Sequence, residues 1–149
     1  MEVISKNSAG ITPKIMLTVN DLMTIDAVTV TSCTTLREAV VLMNKWDHRQ
    51  LPVVEDGKLV GIISNRDIRL AVNSPLIADD SIARIRLLDQ HTVAECMTRD
   101  PITVTPATPI NEVAGILALN KFGALPVMEN GALVGIISVT DLLQQLALL

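Results

Sequence analysis

One phrase occurs twice in this chain. Leu59-Val60-Gly61-Ile62-Ile63-Ser64-Asn65-Arg66-Asp67 returns as Leu133-Val134-Gly135-Ile136-Ile137-Ser138-Val139-Thr140-Asp141, with only Asn65 and Arg66 exchanged for other residues. The offset between the copies, 74 residues, holds without a gap from Val19 on Val93 to Asp67 on Asp141. It brings Met23-Thr24 onto Met97-Thr98, Thr29-Val30-Thr31 onto Thr103-Val104-Thr105, and Leu51-Pro52-Val53 onto Leu125-Pro126-Val127. A register of this length is an internal duplication. The chain builds one supersecondary unit twice and packs the copies together.

Each copy reads the same way. A short helical turn (Val19 to Met23; Val93 to Met97) leads to a Thr-rich strand, Val28 to Val30 or Ile102 to Val104. Thr34-Thr35 and Thr108-Pro109 supply N-cap and first-turn residues for a helix. In it Leu36, Ala39, Val40 and Met43, or Ile110, Val113, Ala114 and Leu117, recur at helical spacing. A hairpin follows, turning at Asp56-Gly57 or Asn130-Gly131, which are strong two-residue turn signals. The repeated phrase is its second strand, rich in β-branched residues, and runs through Ser-x-x-Asp into a helix, Ile68 to Val72 or Leu142 to Leu149. The expected fold class is therefore α/β (α+β), two tandem β-α-β-β-α units. The expected divisions are an N-terminal extension at 1–17, a first unit at 18–72, a spacer at 73–92 and a second unit at 93–149. Asp79-Asp80-Ser81 before Ile82, Ile85 and Leu88 predicts a helix in the spacer, and a short ordered piece is expected near Ile15.

Ser-x-x-Asp has two readings. It is a capping box, with Ser at the N-cap and an acid three residues on. A helix N-terminus bearing a hydroxyl also suits a phosphate, and an Asp beside it can accept ribose hydroxyls. The readings are compatible.

Composition narrows the function. Of 149 residues 49% are hydrophobic, yet no apolar stretch approaches the roughly 18 residues of a membrane helix. Such a chain is expected to hide apolar surface in an oligomer. The N-terminus lacks the basic and apolar regions of a signal peptide, so the cytoplasm is the expected compartment. A net charge of −4 argues against nucleic acid or an anionic membrane as partner. With no Tyr, one Phe and one Trp, a nucleobase would lie in an aliphatic slot rather than on an aromatic platform. Cys33 and Cys96 lack C-x-x-C spacing and read as small apolar packing residues. His48 and His91 belong to no nucleophile or metal-ligand pattern, so no catalytic or metal-binding residue is assigned and an enzyme is not expected. His91 reads as a boundary residue and Trp46 as a core or dimer contact.

Two units in tandem, each with Met-Thr near its start, Leu-Pro-Val opening the hairpin and Gly-Ile-Ile-Ser-x-x-Asp closing it, resemble a pair of CBS domains, named after cystathionine β-synthase and also called a Bateman module. The resemblance covers residues 18–149. It implies two units packed about a pseudo-twofold axis, with two clefts for adenosyl ligands: AMP, ADP or ATP, less often S-adenosylmethionine or NAD, none of them an obligatory cofactor. By position it implies that Asp67 and Asp141 hold ribose hydroxyls. Ser64 with Arg66, and Ser138 with Thr140, would face ribose and phosphate. Val28 and Ile102 would lie near the base, and Thr24 and Thr98, each from the opposite repeat, would line the rims. His48, Arg49 and Gln50, and Phe122, Gly123 and Ala124, would frame the phosphate region.

The two sites differ. His48, Arg49 and Arg66 in the first repeat are matched by Phe122, Gly123 and Thr140 in the second. Phosphate recognition needs positive charge or several amides, and Arg offers a two-pronged fork. A phosphorylated ligand is therefore expected at Asp67 first, with Arg49 placed where the repeats meet. The plainer reading makes the basic cluster a solvated face paired with Asp47 and Glu38. Two functions follow: a nucleotide-sensing regulatory module acting on another protein, or a ligand-free dimerisation scaffold. A homodimer is expected in either case.

Overall fold

The structure, a computed structural model, describes residues 16–72 and 81–149. The expected ordered piece near Ile15 and the Asp79-Asp80 lead into the spacer helix lie outside the described residues. The first half comprises α1 (Val19–Leu22), β1 (Thr24–Ile25), α2 (Leu36–Trp46), β2 (Gln50–Glu55), β3 (Lys58–Ser64) and α3 (Asn65–Val72). The spacer helix α4 (Ser81–Gln90) leads to α5 (Val93–Cys96), β4 (Thr98–Arg99), α6 (Ile110–Asn120), β5 (Ala124–Glu129), β6 (Ala132–Ser138) and α7 (Val139–Leu146). The fold is α+β, with two three-stranded antiparallel sheets.

Local chemistry accounts for most elements. Thr35 caps α2 by accepting from the Glu38 N–H at 3.1 Å, and the helix buries Leu36, Ala39 and Met43. It stops at Asp47, in the left-handed region at φ 54°. α6 follows Pro109 and stops the same way at Lys121, φ 58°. Both hairpins turn through two residues of positive φ, Asp56 (48°) with Gly57 (77°) and Asn130 (52°) with Gly131 (78°). That is the twist a tight hairpin requires.

The Thr-rich strands are a correction. Residues 28–30 and 102–104 form no ladder; only Val30 and Val104 make single parallel bridges, to Val53 and Val127. Immediately afterwards the Thr31 and Thr105 N–H groups donate to the hydroxyls of Thr34 and Thr108, at 3.1 and 3.0 Å. These local side-chain bonds turn the backbone away before a strand can extend.

The pairing across the two halves is the main result. β1 adds to the second sheet, opposite β6, and β4 adds to the first, opposite β3. The preceding helical turns go with them: the Val19 N–H donates to Thr108 O and the Val93 N–H to Thr34 O, at 2.9 and 2.8 Å. Val93 is thus buried with Leu36, Leu51, Ile63 and Ile68, while Val19 is buried with Ile110, Leu125 and Ile137. Each half lends its leader to the other's core, as a pseudo-twofold relation demands. This exchange explains the glycine of the repeated phrase. A Cβ on Gly61 would lie 2.7 Å from Met97 Sδ and 2.9 Å from Thr98 O, and one on Gly135 would lie 2.6 Å from Thr24 O. Met-Thr and Leu-Val-Gly are two sides of one close approach.

Leu17, assigned above to the extension, already packs on the second core, and its carbonyl accepts from the Ile110 N–H at 3.0 Å. In α4, Leu87 and Leu88 pack on the first core while Ile82 and Ile85 are exposed. Cys33 is exposed, contrary to the packing expected of it, whereas Cys96 packs on the first core. Trp46 is no core residue either: half of it is exposed, with Lys45 Nζ 5.3 Å from its ring centre.

Candidate functional site

The repeated Ser-x-x-Asp sits where a strand runs straight into a helix. The Ser64 N–H donates to Asp67 Oδ2 at 2.8 Å and the Asp67 N–H to Ser64 Oγ at 3.0 Å. Ser138 and Asp141 repeat the pair at 2.8 and 3.1 Å. Both are closed capping boxes. The cap uses one carboxylate oxygen of each Asp and only the acceptor side of each hydroxyl. Among the described residues, the second oxygen and the hydroxyl proton have no partner, and all four side chains are half-buried. The boxes therefore retain the capacity to accept two hydroxyls and to donate to an anion at the N-terminus of each helix.

Neighbouring strands bring further residues to each box. Gln50 lies opposite Ser64, and Ala124 opposite Ser138. The Asn65 N–H donates to Arg49 O at 2.8 Å and the Val139 N–H to Gly123 O at 2.9 Å, tying each hairpin's entry to the following helix. Arg49, Gln50, Ser64, Arg66 and Asp67 form one neighbourhood, and Gly123, Ala124, Ser138, Thr140 and Asp141 the other. Thr98 pairs with Ile62, two residues before Ser64, and Thr24 with Ile136, two before Ser138. Each box is thus flanked by a threonine from the other half.

The halves meet at Gln50, whose side-chain amide lies where a Cβ on Gly123 would stand. Arg49 lines a groove between α2 and α3 with His48 and Arg69, and Arg66 is not part of that lining. The expected pairing of the cations with Asp47 and Glu38 is not formed. Among the described residues the ion pairs are Arg37–Asp89 and His91–Glu95. Val28 packs on the first core, whereas Ile102 is 43% exposed, so the two positions proposed for the base differ in setting.

Cys96 was missed as a neighbour of the first box. Burial pushes its thiol pKa up, and the charges of Glu95 and Asp67 push it further in the same direction. It reaches Asp67 because α5 is exchanged between halves, which local sequence does not disclose. Arg69 was missed too; its spacing from Asn65 on α3 was the available signal.

A family model for the CBS domain matches residues 19–74 and again 93–148. The chain belongs to the CBS domain family. This CBS pair is 36% identical over 130 residues to a CBS domain-containing protein of Dictyostelium discoideum, covering 86% of this chain and 90% of that protein. Among solved structures it is similar to the CBS domain pair of protein MJ0100 in complex with 5′-methylthioadenosine and S-adenosyl-L-methionine. The TM-score is 0.76 at 27% identity, covering 89% of this chain and 98% of that one. CBSX2 in complex with AMP is also similar, at TM-score 0.73 and 28% identity over 89% of this chain and 98% of that one. No described helix of this CBS pair is long and apolar enough to cross a membrane.

Proposed function

We propose that this CBS pair is a regulatory module that takes an adenosine nucleotide, AMP, ADP or ATP, beside its Ser-x-x-Asp boxes and transmits occupancy to another protein. S-adenosylmethionine and NAD rank behind these because the first neighbourhood is basic and suits phosphate. The observation that carries the reading is the unused capacity of each box, flanked by a threonine from the other half. Asp67 and Asp141 accept ribose hydroxyls, Ser64 and Ser138 donate to phosphate, and Val28 and Ile102 border the base. Gln50, Ala124, Thr24 and Thr98 shape the rims. Similarity to pairs solved with AMP and with S-adenosyl-L-methionine supports the ligand class. The module works in the cytoplasm as a homodimer.

Arg66 decides which neighbourhood fills first. It stands in the first turn of α3, one residue before Asp67, where the second half has Thr140. Calorimetry on Arg66→Ala tests this. AMP is expected to lose about 1.5–3 kcal/mol, the value of a charge-assisted bond, while adenosine loses little. Equal losses for both, or none for AMP, would place the phosphate elsewhere.

A ligand-free dimerisation scaffold is the second reading, and one observation favours it: each Ser-x-x-Asp pair makes both reciprocal bonds of a capping box, which by itself accounts for the residues. A thermal-shift panel with AMP, ATP, NAD and S-adenosylmethionine separates the two. A ligand at 100 times its dissociation constant adds about 2.7 kcal/mol to stability, whereas a scaffold shows no shift with any of them.

A further inference from the structure

Gln50 stands between the two Ser-x-x-Asp boxes. Its backbone belongs to the first, as the strand partner of Ser64. Residues directly opposite in an antiparallel pair show their side chains on one face, with Cβ atoms about 4.5–5.5 Å apart. Its side chain reaches the second half. The amide occupies the place where a Cβ on Gly123 would stand, with Cδ 3.2 Å from that point. Gly123 in turn is tied to the second box, because its carbonyl accepts the N–H of Val139, the residue after Ser138.

The contact runs one way. The residue that matches Gln50 in the second half is Ala124, opposite Ser138, which is buried and ends at a methyl group. A side chain at position 123 would fill the seat, and glycine leaves it open to the amide. The exchange of Arg49 for Gly123 between the halves therefore does more than remove a charge: it admits a neutral polar group from the first half. Gln50 is half-buried, and among the described residues its amide makes no hydrogen bond. Two N–H donors and a carbonyl oxygen are thus held at the junction, unused by the described residues.

We propose that this amide couples the two boxes by serving one at a time, so that a phosphorylated ligand at the first weakens binding at the second. The coupling presupposes the nucleotide reading above. A phosphate beside Ser64 lies within reach of the amide, since the two side chains share a face, and glutamine turns towards it by changing rotamer. The second box has no replacement, because Ala124 carries no donor. Filling the first box withdraws a donor from the second, and by linkage filling the second weakens the first by the same factor. That factor is about three- to tenfold, the range of one neutral hydrogen bond.

Calorimetry with AMP on the full chain tests the proposal. In the wild type the second binding event, identified by its loss in Asp141→Ala, reads the Asp141 box with its neighbour filled. The double variant Arg66→Ala/Asp67→Asn removes the phosphate and ribose contacts of the first box while its asparagine still closes the cap, so the Asp141 box fills with its neighbour empty. Its affinity there is expected to be about three- to tenfold higher than in the wild type. Gln50→Ala deletes the amide, and Gly123→Ala keeps the amide but fills its seat. In either background the Asp141 box should bind equally whether the first box is intact or disabled. A wild-type second event as tight as that of the double variant, or tighter, overturns the proposal. Coupling that survives both Gln50→Ala and Gly123→Ala overturns it as well. A single event in the wild type with none in the double variant overturns it while leaving the first box a nucleotide site; no AMP binding to the wild type overturns the nucleotide reading with it.

Discussion

Each aspartate of the repeated phrase combines a structural bond with an open coordination position, and the two can be separated by measurement. Asp67→Ala and Asp141→Ala each open a capping box, which costs about 0.5–2 kcal/mol of stability. Each is also expected to cost nucleotide affinity at its own box by about 1.5–3 kcal/mol. Melting curves read the first loss and calorimetry the second; lowered melting with normal nucleotide affinity would reduce both aspartates to caps. Two glutamates contribute to the pH dependence of stability. Glu95 is held below the ordinary carboxylate value by the Thr92 N–H and by His91, and Glu55 by the hydroxyl and then the N–H of Ser32. Because the folded chain depresses these values, the stability they contribute is present above the unfolded-state value, about 4.3, and is lost as pH falls through the folded one. The melting temperature should therefore drop on acidification, and Glu95→Gln should flatten that drop; an unchanged acid slope in this variant would refute the assignment. Ser64 and Asp67 were legible in the sequence because a capping box is an i, i+3 relation. Cys96 was not, because its neighbour Asp67 lies in the other half.

Among the elements, long helices and hairpins were legible and the short strands were not. α2, α6 and both hairpins carry their own periodicity, caps and turn residues. β1 and β4 are two residues each, too short for any periodicity, and their partners lie more than a hundred residues away in one case. The close approach of Met23-Thr24 to Gly135 gives this exchange a test. Gly135→Ala forces a methyl against the Thr24 carbonyl, which belongs to backbone and cannot swing aside. A loss of about 1–3 kcal/mol is expected, as for other overpacked sites. Gly123→Ala meets only the Gln50 side-chain amide, which can move, and should be much milder. Denaturant melts of the two variants compare them directly; equal losses would contradict the rigid crossing at Gly135.

At the scale of the molecule, apolar side chains remain at the surface of the second half: Leu119 on α6, and Leu143 and Leu146 on α7. They support the proposed homodimer, and sedimentation should find a dimer at micromolar concentration; a monomer with and without nucleotide would exclude it. The sequence by itself determined that there are two units, which residues cap and turn them, and to which family they belong. Each of these depends on contacts within a few residues or on matching one half against the other. Only the tertiary structure decided that each sheet is completed by the opposite leader. It also placed Gln50 against Gly123 and drew Arg49 into a groove with Arg69. The physical reason is that an unpaired strand edge accepts whichever backbone packing delivers to it, and the duplicated halves offer nearly identical leaders. Pattern alone does not distinguish a leader that folds back on its own half from one that crosses to the other.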